Sequence, residues 1–193
     1  MEKIDIALSA EISQQIKALS NKLGVPLRTV LLALHSRLLA FYSGETEIVT
    51  GLVCNGRPEA EDGDRILGLF LNTVPFRLPI NPGSWIDLIE QTFRTEQQLI
   101  PNRRFPLPEI QRMYGNQPLY ESSFNFVHFH VYKGLLELRD VELIGSQSFD
   151  ETNIPFSVSW SEEVESGQLL FNITYNSNEF SGEQISAIAN YCE

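Results

Sequence analysis

The chain has 193 residues and a formal net charge of −11, from 25 acidic and 14 basic side chains. That balance speaks against binding nucleic acid or an anionic membrane surface, because phosphate contacts need clustered Lys and Arg. At 42% hydrophobic and 10% aromatic the chain is that of a folded globule with a core of its own, expected as a single domain over 1–193.

Ser9 caps a helix with Ile12, Ile16, Leu19 and Leu23 at helical spacing, and Gly24 closes it. After Pro26 a second helix carries Val30, Leu31, Leu34, Leu38 and Phe41, with Leu27 and Leu39 widening the apolar face; Gly44 is its stop. His35 lies beside that stripe and reads as a core or boundary histidine. Glu47 to Cys54 turns to β-branched residues and predicts a buried strand, which Asn55-Gly56-Arg57-Pro58 breaks. The acidic stretch EAEDGDR that follows reads as a solvated connection.

The stretch ILGLFLNTVPFRL, Ile66 to Leu78, is apolar on both sides and predicts a strand covered on two faces. The polar pair Asn72-Thr73 interrupts it. These two residues either satisfy the sheet locally, as an Asn at a bulge would, or point into a cavity as oriented hydrogen-bonding groups. Pro75 places the second half at an edge, at a bulge or leaving the sheet.

Ser84 and Asp87 form a capping-box-like start to a helix with Trp85, Leu88, Ile89, Thr92, Phe93, Gln97, Leu99 and Ile100 on one side. Glu90, Arg94 and Glu96 are expected in water, and Pro101 ends the helix. Pro106 or Pro108 opens a short helix ending near Tyr114-Gly115. That helix either packs Leu107, Ile110 and Met113 inward or docks a partner.

SSFNFVHFHVY alternates as a strand, with His128 and His130 on one face. Two imidazoles at this spacing are a weak metal signal without further ligands, so they read as structural or cavity-lining. Gly145-Ser146-Gln147 predicts a bend between Leu135 and Phe149. Phe156, Val158 and Trp160 face one way in one strand, and Leu169, Phe171, Ile173 and Tyr175 in the next; Gly167 suits their hairpin turn. Ser181 and Gln184 make a capping box for a last helix with Ile185, Ile188 and Ala189 inward. Cys54 and Cys192 show no ligand spacing. With no secretory signal or membrane-spanning apolar run, the expected location is cytoplasmic. No phosphate loop, nucleophile elbow, zinc helix or complete catalytic constellation stands out, so no catalytic residue and no metal site is assigned.

Gly68-Leu69-Phe70-Leu71-Asn72-Thr73, followed by Pro75 and Arg77, resembles the G-x-F-V-N-T signature in the C-terminal half of condensation domains of non-ribosomal peptide synthetases. The stretch from Asn102 to Glu109 is similar, more loosely, to the family's H/N-Q-D-x-P-F-E motif. Arg103 and Arg104 stand where that motif has Gln-Asp. Gln117-Pro118-Leu119 before the F-N-F strand is similar to the last motif region. The resemblance covers nearly the whole chain with its elements in order.

The resemblance implies an α/β (α+β) fold, a mixed β-sheet flanked by helices in one chloramphenicol-acetyltransferase-like lobe. A complete condensation domain has two such lobes, and its H-H-x-x-x-D-G motif lies in the N-terminal one. No such motif occurs here. The chain is therefore expected to be a C-terminal lobe over 1–193, one wall of the tunnel in which two carrier-bound thioesters are joined, and inactive by itself. Asn72, Thr73, Phe70, Asn125 and His128 are the implied wall residues facing the substrate or pantetheine arm, and Arg57 is the implied anchor of the loop beneath the tunnel. No cofactor is expected on the chain itself; the 4'-phosphopantetheine arm belongs to the partner peptidyl carrier proteins. The N-terminal lobe is the other implied partner. Self-association is expected through the orphaned face, formed by Leu69 to Thr73, the FNFVHF strand and the 155–176 hairpin. The other function class is a non-catalytic carrier-protein-binding or adaptor module derived from the same lobe.

Overall fold

The computed structural model describes residues 1–127, 152–163 and 166–191. His128, His130, the bend between Leu135 and Phe149, and Cys192 lie outside the described residues. The chain forms two compact units, residues 1–19 with 126–193, and residues 20–125.

In the first unit, strand β6 (Leu169–Tyr175) is flanked by β1 (Glu2–Ala7) and β5 (Phe156–Glu162), antiparallel on both sides. Alternation decides the faces. Phe156, Val158 and Trp160 are buried, as are Leu169, Phe171, Ile173 and Tyr175. Register sets Trp160 opposite Phe171, and their rings stack with centroids 4.5 Å apart. The apolar side of this hairpin is thus turned inward and adds nothing to an exposed strip. β1 has little signal in the sequence, with Ile4 and Ile6 alone in alternation.

Helix α1 (Ala10–Leu23) starts where Ser9 Oγ accepts from the Ile12 N–H at 3.2 Å. The last helix, α5 (Gly182–Tyr191), starts on the full capping box. Ser181 Oγ accepts from Gln184 N at 3.2 Å, and Ser181 N donates to Gln184 Oε1 at 2.8 Å. Ile185, Ile188 and Ala189 are its buried residues.

In the second unit, β2 (Glu47–Asn55) pairs antiparallel with β3 (Leu71–Pro79) and parallel with β4 (Ser122–Val127), a mixed arrangement. Helices α2 (Leu27–Ser43) and α3 (Trp85–Leu99) supply the core with Leu31, Leu32, Leu38, Leu88 and Ile89. Ile48, Leu52, Val74, Phe76 and Leu78 meet them from the strands. Gly44 stops α2 in the left-handed region at φ 73°. Phe41, expected in the apolar stripe, is exposed and meets Tyr42 edge-on at 5.3 Å.

His35 is buried, its Nε2 3.1 Å from Thr50 Oγ1, and Ser122 Oγ donates to the same hydroxyl oxygen at 2.9 Å. Burial drives its pKa down to about 3, so the imidazole is neutral. On the other side of β2, Gly51 leaves room for a ring. A Cβ there would sit 2.5 Å from the Tyr120 side chain.

Two further expectations need correction, and of the two alternatives for the short helix the inward-packed one fails. The run from Ile66 is not a strand covered on two faces: β3 begins only at Leu71, and Leu67, Leu69 and Leu71 are 97%, 88% and 63% exposed. Pro75 accordingly lies in a strand paired with β2 alone among the described residues. Glu96 is not in water but 2% exposed. It follows Ile89 and Thr92 at helical spacing, so geometry carries it inward whatever its charge. None of the residues of α4 (Leu107–Met113) is buried, and Met113 is 75% exposed. No single helix among the described residues is long and apolar enough to cross a membrane.

Candidate functional site

The polar chemistry of the second unit collects where β2 ends. A cleft of about 420 Å³ opens there, lined by Arg28, Cys54, Arg57, Glu59, Glu96 and Arg103 among others. Its most buried charge is Glu96. Arg28 Nη2 lies 2.7 Å from Glu96 Oε1 as an ion pair without an aligned hydrogen bond, while the Thr29 hydroxyl donates to Oε2. Burial, reinforced by Glu96 and opposed by Arg28 and Arg103, pushes the Cys54 thiol up and keeps it protonated.

The turn after β2 is built from backbone groups that have no ladder to join, so side chains satisfy them. Arg103 Nε donates to Asn55 O at 2.9 Å and its Nη2 pairs with Glu59 Oε1 at 2.6 Å. Arg104 Nε and Nη2 donate to Gly56 O and Arg57 O, each at 2.8 Å. Gly56 N donates to Phe70 O at 2.7 Å. A side chain at Gly56 would press on that oxygen, 3.0 Å from the position of a Cβ. Arg57 turns the other way. Its Nη1 donates to Ile66 O at 2.5 Å and Gly63 O at 3.4 Å, and its guanidinium lies 4.7 Å over the Phe70 ring.

Asn72 and Thr73 point to opposite sides of β3. The Asn72 amide donates to Arg103 O and Phe105 O, both at 2.9 Å, tying β3 to the stretch after α3. Thr73 stands opposite Val53, and its carbonyl lies 3.5 Å from the Tyr120 hydroxyl. Burial raises that phenol to about 12. Asn125 is half-buried on β4, separated from β3 by β2. The structure thus brings Arg57, Phe70 and Asn72 to one corner and leaves Thr73 and Asn125 elsewhere in the sheet; His128 lies outside the described residues. Of the five described candidate site residues, Arg57, Phe70, Asn72, Thr73 and Asn125, Arg57 alone lines this cleft. A second, more apolar cleft of about 530 Å³ lies between β3 and α4, with Val74, Phe105, Ile110 and Met113 on its walls.

Arg28, Glu96, Arg103 and Arg104 were not singled out for this corner. Glu96 has a local signal in its place on the buried stripe of α3, and Arg103 and Arg104 have one in the motif-like stretch from Asn102 to Glu109; Arg28 has none. Among the described residues no three His, Cys, Asp or Glu side chains form a metal-ligand set.

This α/β arrangement, a mixed sheet with flanking helices, is the chloramphenicol-acetyltransferase-like fold of solved condensation domains. The first condensation domain of the calcium-dependent antibiotic synthetase, in complex with a substrate analogue, matches with a TM-score of 0.78 over 98% of this chain and 43% of its own, at 15% identity. A holo four-domain nonribosomal peptide synthetase bound to AMP and glycine matches with a TM-score of 0.85 over 97% of this chain and 16% of its own, at 17% identity. The condensation-domain family model matches residues 1–193, and the chain belongs to that family. It is also 33% identical, over 98% of its length, to the AMB antimetabolite synthetase AmbE of Pseudomonas aeruginosa, of which it spans 9%. The chain spans less than a tenth of the length of the curated relatives it matches. Condensation domains of these synthetases work with carrier domains that bear phosphopantetheine.

Proposed function

We propose that these residues form the C-terminal lobe of a condensation domain in a nonribosomal peptide synthetase. In this reading the lobe is one wall of the tunnel in which two carrier-bound aminoacyl or peptidyl thioesters meet. The amine nitrogen of one attacks the thioester carbonyl carbon of the other, the pantetheine thiolate leaves, and the amine gives up a proton. Proton removal needs a positioned base.

The observation that carries the reading is how much of a condensation domain this chain matches. It aligns with 43% of a solved condensation-domain chain, and its three histidines include no adjacent pair. His35, the described one, is buried against Thr50 and unable to meet a substrate. In this reading the base comes from the N-terminal lobe. The exposed leucines at 67, 69 and 71 support the same reading, since an apolar strip of this kind is what a partner surface covers. Phe70, Asn72, Thr73, Asn125 and His128 are the proposed wall residues, with Arg57 as loop anchor. The 4'-phosphopantetheine arms reach the wall from peptidyl carrier proteins.

Incubating the chain with two loaded carrier proteins and following amide product by mass spectrometry tests the proposal. No product above the no-protein control is expected from the chain alone, and turnover by the chain alone would overturn it.

A further inference from the structure

We propose that Arg103 and Arg104 are positioning residues that hold the loop from Gly56 to Phe70 in shape for its task. The loop's task rests on the reading above, in which the exposed leucines face a partner lobe.

The loop has little else to hold it. Residues 59 to 62 and 65 to 69 are exposed, and Leu67 and Leu69 lie almost wholly in solvent. Burial of apolar side chains therefore contributes little to its order, and polar contacts must set its geometry. Arg103 and Arg104 cap three consecutive carbonyls, those of Asn55, Gly56 and Arg57, from a segment 47 to 48 residues further along the chain. The turn fixed in this way presents the Gly56 N–H to Phe70 O, which closes the loop at its two ends. It also aims the Arg57 guanidinium across the loop to the Gly63 and Ile66 carbonyls.

The two arginines are themselves held. The Asn72 amide grips the carbonyls of Arg103 and Phe105, so the clamp is referenced to β3. A Gln-Asp pair, as in the motif this stretch resembles, offers fewer donors. An ionised Asp has none, and the single Gln amide has two N–H groups where a guanidinium has five. An apolar strip docks well only when it is ordered beforehand, because ordering it on contact costs affinity. The clamp supplies that order.

The reporter is the Gly56 amide, followed by hydrogen exchange in the full 193-residue chain. The Arg103→Gln/Arg104→Gln variant should lose at least tenfold of its protection at Gly56, while the amides of β2 paired with β3 keep theirs and the melting temperature barely moves. Arg103→Gln/Arg104→Lys should not restore protection, because an ammonium donates from one point and lacks the planar fork whose Nε and Nη2 meet the Gly56 and Arg57 carbonyls separately. Unchanged protection at Gly56 would overturn the clamp, whatever the function of the chain. In a complete condensation domain carrying these residues, the double variant should lower kcat at least fivefold and leave KM for the carrier-bound acceptor within twofold. Lost protection with unchanged turnover would overturn the link to the reaction and count against the lobe-facing role of the loop.

Discussion

Arg28→Met tests the most buried charge in the second unit. The Glu96 side chain is 3% exposed and that of Arg28 31% exposed, with 2.7 Å between their charged atoms. At an effective dielectric constant of about 20, the pair's attraction is worth roughly 6 kcal/mol before desolvation is counted. Removing Arg28 leaves a buried carboxylate with only the Thr29 hydroxyl, and breaking such pairs costs about 3–5 kcal/mol. The lower end, about 3 kcal/mol, is expected because Arg28 is partly hydrated already. Glu96→Leu should cost less, about 1–2 kcal/mol, since the stranded guanidinium can swing into the cleft and meet water. The double variant Arg28→Met/Glu96→Leu should recover most of the loss, because an apolar pair needs no compensating charge. Urea unfolding is the assay. With a slope of about 2 kcal/mol per molar, the single Arg28 change should lower the midpoint by about 1.5 M. A loss under about 1 kcal/mol for Arg28→Met, or a double variant as weak as the single, would refute the reasoning.

His35 makes stability depend on pH. Its folded pKa is depressed from 6.5 to about 3, so below pH 6.5 the unfolded chain takes up a proton that the folded one does not. His35 should therefore remove about 1.4 kcal/mol of stability per pH unit as pH falls from 6.5 toward 3. Unfolding curves between pH 7 and 5 should show this slope, and His35→Gln, which keeps a polar group near Thr50, should lack it; an equal slope in both would count against a buried neutral imidazole. For the exposed strip, the chain should sediment as a dimer at micromolar concentration, and Leu67→Lys/Leu69→Lys should be monomeric with unchanged melting temperature. Monomeric behaviour of both proteins would remove self-association through this strip.

What the sequence disclosed follows the range of the forces involved. Capping boxes at Ser84 and Ser181 and the glycine stops at Gly24 and Gly44 act over a few residues, and each lies where it was read. The alternation of the 156–175 hairpin is equally local. β1 escaped notice because two isoleucines are too little pattern, and its partner β6 lies at the other end of the chain. Glu96 departs from the place its charge suggests because helical spacing carries it inward; the cation that makes its burial tolerable sits on another helix. The apolar stretch from Ile66 shows a different limit. Hydrophobicity says that Leu67, Leu69 and Leu71 belong against something, but not whether that surface lies in this chain. Two motif-like stretches, around Asn72 and Arg103, were read as separate features. Asn72 joins them across 31 residues through carbonyl groups, which every residue type carries. Residue types alone therefore disclose the asparagine but not its partners. The corner is one unit because the backbone after α3 passes within reach of one amide on β3, and only the fold decides that.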